Sequence, residues 1–75
     1  RLVEVTVEPS APVAGRALRD AHLPPGSLVI SVNRAGDVIF PRGDTRLQPG
    51  DVVMLTITSA NEAAVRTLLR GKTHG

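Results

Sequence analysis

The chain contains no cysteine, tryptophan or tyrosine, and only one phenylalanine and one methionine among its 75 residues. Without cysteine there is neither a disulfide framework nor a thiolate metal site. Without aromatics there are no stacking platforms of the kind that single-strand nucleic-acid binders use. Charge is also sparse: nine Lys/Arg against seven Asp/Glu give a formal +2, with the signs interspersed. A duplex binder would show a clustered basic face instead. No apolar run approaches the roughly 20 residues of a membrane span, and no signal-peptide pattern opens the sequence. The first residue is Arg1 rather than Met, which reads as a piece excised from a longer protein.

What is there is a single small domain with 41% hydrophobic residues, almost all Val, Leu, Ile and Ala. A chain this short buries little more than half of its unfolded surface, so a solitary core is marginal. With no staple available, extra stability is expected from oligomerisation or attachment to a larger protein.

The elements can be read from periodicity. Leu2 to Glu8 alternates with Val3, Val5 and Val7 on one face, as in a half-buried strand. Pro12 suits a first helical turn, and Val13, Ala14, Ala17, Leu18 and Ala21 form a stripe at helical spacing, which predicts a helix ending before Leu23-Pro-Pro-Gly26. Ser27 to Arg34 reads as a strand with Leu28, Ile30 and Val32 on one face, returned through a short hairpin by Val38, Ile39 and Phe40. Thr45 to Leu47 allows a brief extended piece, and Pro49-Gly50 fits the centre of a type II turn. Asp51 to Thr58 is almost continuously apolar after its first residue, which predicts a central strand buried on both faces. Ser59 and Glu62 have capping-box spacing before a last helix that buries Ala64, Val65, Leu68 and Leu69 and stops at Gly71. The expected fold is α+β: β-α-β-β-(β)-β-α, a mostly antiparallel sheet with two helices over residues 2–71, followed by a disordered tail, 72–75.

Few residues point to chemistry. Asp44 and Asp51 each follow a glycine in a turn, where a carboxylate satisfies local amides, so they read as turn residues rather than an acid–base pair. His22 and His74 are isolated and make no metal site with this composition. No nucleophile triad, dinucleotide fingerprint or phosphate loop occurs, so no catalytic residue, no metal and no enzyme activity are expected. Asn33, Arg34, Arg42 and Arg46 flank the hairpin and the loop after it. They read first as solvating groups at a hairpin end, and second as directed donors for phosphates or base edges.

From Gly15 to Thr58 the ordered series of features resembles the TrkA-C domain, also called RCK-C. These are the segment ending at Leu23-Pro-Pro-Gly26, the Arg34-to-Thr45 hairpin, Leu47-Gln-Pro-Gly-Asp51 entering an apolar strand, and an amphipathic helix after it. The pattern Pro41-x-Gly43-x-Thr45-x-Leu47-x-x-Gly50-Asp51 is similar to that family's structural signature. The resemblance implies a cytoplasmic regulatory lobe, attached to or associated with an inner-membrane channel or transporter, most often for potassium, and acting as a homodimer. Some members bind a small ligand, cyclic di-AMP, at the dimer interface. That would place ligand contacts on Val32, Asn33, Arg34, Asp37, Val38 and Ile39, with no cofactor. The Rossmann lobe that accompanies such domains is not in this sequence, so NAD or ATP binding is not implied.

Two rivals remain. A module that only ties transporter subunits together would have the same fold and interface. A swapped-hairpin DNA-binding domain of the AbrB or MazE kind has a similar Pro-to-Gly-Asp interval, but with a helix inside it. Here that interval holds Gly43, Pro49 and a single apolar residue, Leu47, which disfavours a helix and with it nucleic acid as a partner.

Overall fold

The computed structural model describes residues 1–71, so the expected tail, with His74, lies outside the described residues. The fold is α+β. Its elements are β1 (Leu2–Thr6), a 3-10 turn (Leu18–Asp20), β2 (Leu28–Arg34), β3 (Asp37–Ile39), β4 (Val52–Thr56) and α1 (Glu62–Arg70). The strands form one sheet in the order β1-β4-β2-β3, every neighbouring pair antiparallel. The core lies on one face of this sheet. Val5, Val7, Val32, Val53, Leu55 and Ile57 meet Val65 and Leu69 of α1 and the buried Ala11, Val13, Ala21 and Leu47 of the connecting segments.

The expected first helix does not form. Gly15 takes a φ of +81° and Ala17 is extended, forming an isolated bridge with Arg46. The amides of Gly15, Leu18 and Arg19 donate to the carbonyls of Leu47, Thr45 and Gly43 at 2.7, 2.8 and 3.0 Å, rather than to carbonyls four residues back. Tertiary pairing has displaced a helix that the apolar spacing favoured. The stripe is still buried at Val13, Ala17 and Ala21, with only the short 3-10 turn remaining of the helix.

Two other expectations change in detail. The strand β4 is central, but within it only Val53 and Leu55 are buried, with Ile57 just after it, while Val52, Met54 and Thr56 are half-buried on the opposite face. This is because no layer formed by the described residues covers that side. In β2, Ile30 is an extra residue between Val29, which pairs with Leu55, and Ser31, which pairs with Met54. Such a bulge breaks strict alternation. Val29 and Val32 therefore both face the core, and Leu28 and Ile30 are turned outward.

The last helix begins at Glu62, two residues later than a Ser59 cap would start it. Asn61 precedes it without a side-chain cap; its Oδ1 accepts the Thr58 amide at 3.0 Å and its Nδ2 donates to the Pro25 carbonyl at 3.1 Å. Glu62 turns to Arg1 and Arg66 instead of back to the helix start. At the other end Gly71 stops the helix as expected, with φ +89° and its amide on the Thr67 carbonyl. A Cβ there would sit 3.2 and 3.3 Å from the Ser10 hydroxyl and carbonyl oxygens.

Candidate functional site

Alternation along the strands assigns Leu2, Glu4, Thr6, Val52, Met54, Thr56, Leu28, Ser31, Asn33 and Val38 to the uncovered face of the sheet. Phe40, one alternation beyond Val38, is 79% exposed, and Val38, Leu28 and Ile30 are 59, 62 and 43% exposed. One face of a 75-residue domain thus carries several large apolar side chains in water. Interaction sites are commonly found at exposed apolar patches, so this face is the candidate site.

The β2–β3 hairpin forms one end of this face. Its turn residues, Ala35 and Gly36, have φ +52° and +89°, the primed geometry that matches the twist of a two-residue hairpin. The Asn33 Oδ1 accepts the Gly36 amide at 3.1 Å and stiffens the turn, while its Nδ2 donates to no group among the described residues. Beside it, Arg34 points to the covered face. Its Nε and Nη2 donate to Oδ1 and Oδ2 of Asp51, both at 2.9 Å, and Nη2 also donates to the Arg46 carbonyl at 2.8 Å. Asp51 is 1% exposed and its Oδ2 also accepts the Gln48 amide at 2.9 Å. Burial alone would push the Asp51 carboxyl up. The bonds from Arg34 and Gln48, with the Arg34 charge, outweigh it and hold the carboxyl below the usual carboxylate range. Its hydrogen bond to Asp51 raises the Arg34 guanidinium in turn.

The six residues assigned from sequence therefore part company. Asn33 and Val38 face outward on the open side, and Asp37 is exposed at the turn. Ile39 is half-buried, Val32 is wholly in the core, and Arg34 is engaged with Asp51. Asp51 itself does more than close a turn, since its partner lies 17 residues earlier in the chain. Asp44 is an exposed turn residue. Arg46 donates to the Gly15 carbonyl at 2.9 Å, and the Arg42 amide donates to the Thr45 hydroxyl at 2.9 Å. Arg42 and Arg19 line a groove of about 330 Å³ together with Leu18, Leu23, Leu28, Val29 and Pro41. His22 is exposed at φ +55°, and no group of three metal-ligating side chains occurs among the described residues. Sequence reasoning missed Leu28, Ile30 and Phe40 as surface residues. The alternation of Val38 and Phe40 carried that signal; the bulge that exposes Ile30 left none.

Comparison with known proteins bears on the fold and the family. The sequence model of the TrkA-C domain matches residues 2–70. A Trk system potassium uptake protein TrkA of Mycobacterium tuberculosis is 33% identical over 69 residues, covering 91% of this chain and 31% of that protein. A TrkA homolog of Archaeoglobus fulgidus is 35% identical over 54 residues, 72% of this chain and 12% of the relative. The chain thus spans about a third or less of these relatives. Among solved structures, an RCK domain with cda superposes with a TM-score of 0.77 at 22% identity, over 91% of this chain and 96% of that one. The RCK C domain of the potassium transport protein KtrA in complex with c-di-AMP gives 0.76 at 19%, over 88 and 79%. The RCK_C domain dimer of S. agalactiae BusR in complex with c-di-AMP gives 0.75 at 18%, over 91 and 93%. At these identities the structures establish a shared fold, and the match across nearly all the described residues establishes descent: the chain belongs to the TrkA-C domain family.

Proposed function

We propose that this domain is a ligand-sensing, dimerising regulatory lobe of a potassium-transport system, cytoplasmic and coupled to an inner-membrane channel or transporter. The observation that carries the reading is the uncovered apolar sheet face ending at the β2–β3 hairpin, in a domain of this family. No helix among the described residues is long and apolar enough to cross a membrane. Two copies meeting on this face would bury Val38, Phe40 and Ile30 and enclose a ligand at the hairpin. Cyclic di-AMP, present in two of the similar structures, has suitable chemistry. Its bases would rest on the apolar side chains, and its phosphates would meet the Asn33 Nδ2 and the Val38 amide, whose backbone faces the free edge of β3. Asp37 and Ile39 border that pocket, while Val32 and Arg34 support it from behind. A ligand that fits one dimer geometry better than another shifts the equilibrium between them, and the partner reads that shift.

A second reading has an observation of its own. Because Arg34 is engaged with Asp51, the hairpin keeps no free cation for phosphates, which favours a module that dimerises and senses nothing. Titration with cyclic di-AMP, followed by thermal unfolding and sedimentation at known protein concentration, separates the two. At about 100 times the dissociation constant, binding adds about 2.7 kcal/mol and raises the midpoint on the order of 10 °C in a domain this small. One ligand per dimer with that rise supports sensing. A dimer without the rise supports the structural module, and a monomer without it removes both readings.

A further inference from the structure

The sheet has a second open edge, chemically unlike the hairpin. Arg1 and Ile57 exchange backbone bonds of 3.0 and 2.8 Å, and the Val7 amide donates to the Asp51 carbonyl at 2.8 Å. In an antiparallel pair this parity directs the backbone groups of Val3 and Val5 at β4, and those of Leu2, Glu4 and Thr6 away from the sheet. Among the described residues no strand lies beyond β1 on that side. The edge ends at Glu8, whose amide donates to the Leu69 carbonyl at 3.1 Å. Along it runs a groove of about 310 Å³, lined by Glu4, Val5, Thr6, Glu8, Arg66 and Arg70.

Charge decides what this edge accepts. An in-register antiparallel pairing of two copies through Leu2–Thr6 would set the two Glu4 carboxylates opposite each other, and like charges in that position are destabilising. A basic residue opposite Glu4 makes the same position attractive. On the covered face, the residue opposite Val5 falls beside Arg66 and Arg70. Arg66 is held by Glu62 at 3.1 Å, but Arg70 reaches Glu8 only at 3.8 Å between two side chains nearly half exposed, and so can take a carboxylate. We propose that β1 is a docking edge for an extended segment of a different polypeptide, with Lys or Arg opposite Glu4 and an acidic residue opposite Val5. Main-chain bonds to Leu2, Glu4 and Thr6 would supply affinity and the two charged positions its selectivity. The added strand lies at the opposite side of the sheet from β3, so this edge works whether or not the hairpin binds a ligand.

The probe is the end-blocked peptide Thr-Glu-Lys-Val-Thr, its Lys placed opposite Glu4, titrated into the ¹⁵N-labelled chain. The expected result is saturable movement of the Leu2, Glu4 and Thr6 amide signals with slowed exchange of the same amides. Glu4→Lys weakens binding about three- to tenfold, and a peptide with Glu in place of Lys recovers it against that variant alone. Equal binding by the wild-type chain and Glu4→Lys overturns the proposal. So does movement confined to the β3 edge, the absence of saturable movement, or slowed exchange of these outward amides on raising the protein concentration without peptide, which would mean that β1 pairs with itself.

Discussion

Arg34 and Asp51 form a forked ion pair, with two parallel N–H···O bonds of 2.9 Å that join the end of β2 to the turn entering β4. Asp51 is buried while Arg34 is about one-third exposed, and the same carboxylate anchors the Gln48 amide. Removing it strands both donors. Asp51→Ala should cost about 2–4 kcal/mol, read as a fall in the urea midpoint at an unchanged slope. Arg34→Lys keeps the charge but loses the fork, so its midpoint should lie between those of the wild type and Asp51→Ala. A wild-type midpoint for Asp51→Ala would mean that the pair contributes nothing.

The same pair sets an acid limit. The folded pKa of Asp51 lies below its unfolded value, so the folded state binds this proton more weakly than the unfolded chain. Its contribution is therefore complete above the unfolded carboxylate range, near pH 4, and disappears as pH falls through the lower folded value. Thermal midpoints from pH 7 down to about pH 2 should decline in the wild type and decline less in Asp51→Asn, which has no carboxyl to titrate there. Parallel curves would place the acid sensitivity elsewhere.

Ala35 occupies a left-handed position, φ +52°, at the first corner of the hairpin turn. A residue with a Cβ pays about 1 kcal/mol there, less when it is asparagine, which also leads the preferred Asn-Gly pair. Ala35→Asn should stabilise the domain by about 0.5–1 kcal/mol, measured by urea unfolding. If instead it destabilises, the turn does not hold this geometry in solution.

The parts of the fold that were legible in sequence are those where local pattern and tertiary pairing agree. Alternation in β1, the Pro49-Gly50 turn with Gly50 at φ +92°, the hairpin around Gly36 and the stop at Gly71 all follow from residue type. The Val13–Ala21 segment shows the other case. Its apolar spacing is helical, but Gly15 and the carbonyls of residues 43–47 offered it a better set of bonds. Ser59 and Glu62 have the spacing of a capping box, yet Asn61 is taken up by Pro25, which lies far away in sequence. The candidate site was legible as a region and not as a set of contacts. Periodicity finds the hairpin, but the bulge at Ile30 and the Arg34–Asp51 pair depend on strands that meet only in the folded chain.

Phe40 offers the sharpest test of the open face. It is the most exposed large apolar side chain of the domain and lies next to Val38 at the free edge of β3, so the fold gains almost nothing from it. Substituting it by serine should leave monomer stability within about 0.5 kcal/mol, as for surface changes away from caps and ion pairs. If two copies meet on this face, Phe40 is the kind of aromatic anchor whose truncation weakens association by tenfold or more. Sedimentation over a range of protein concentrations should therefore show Phe40→Ser dissociating where the wild type does not. Glu4→Lys, at the far edge of the sheet, should sediment like the wild type. Identical behaviour of wild type and Phe40→Ser would move the dimer contact off this face, and with it the proposed ligand pocket.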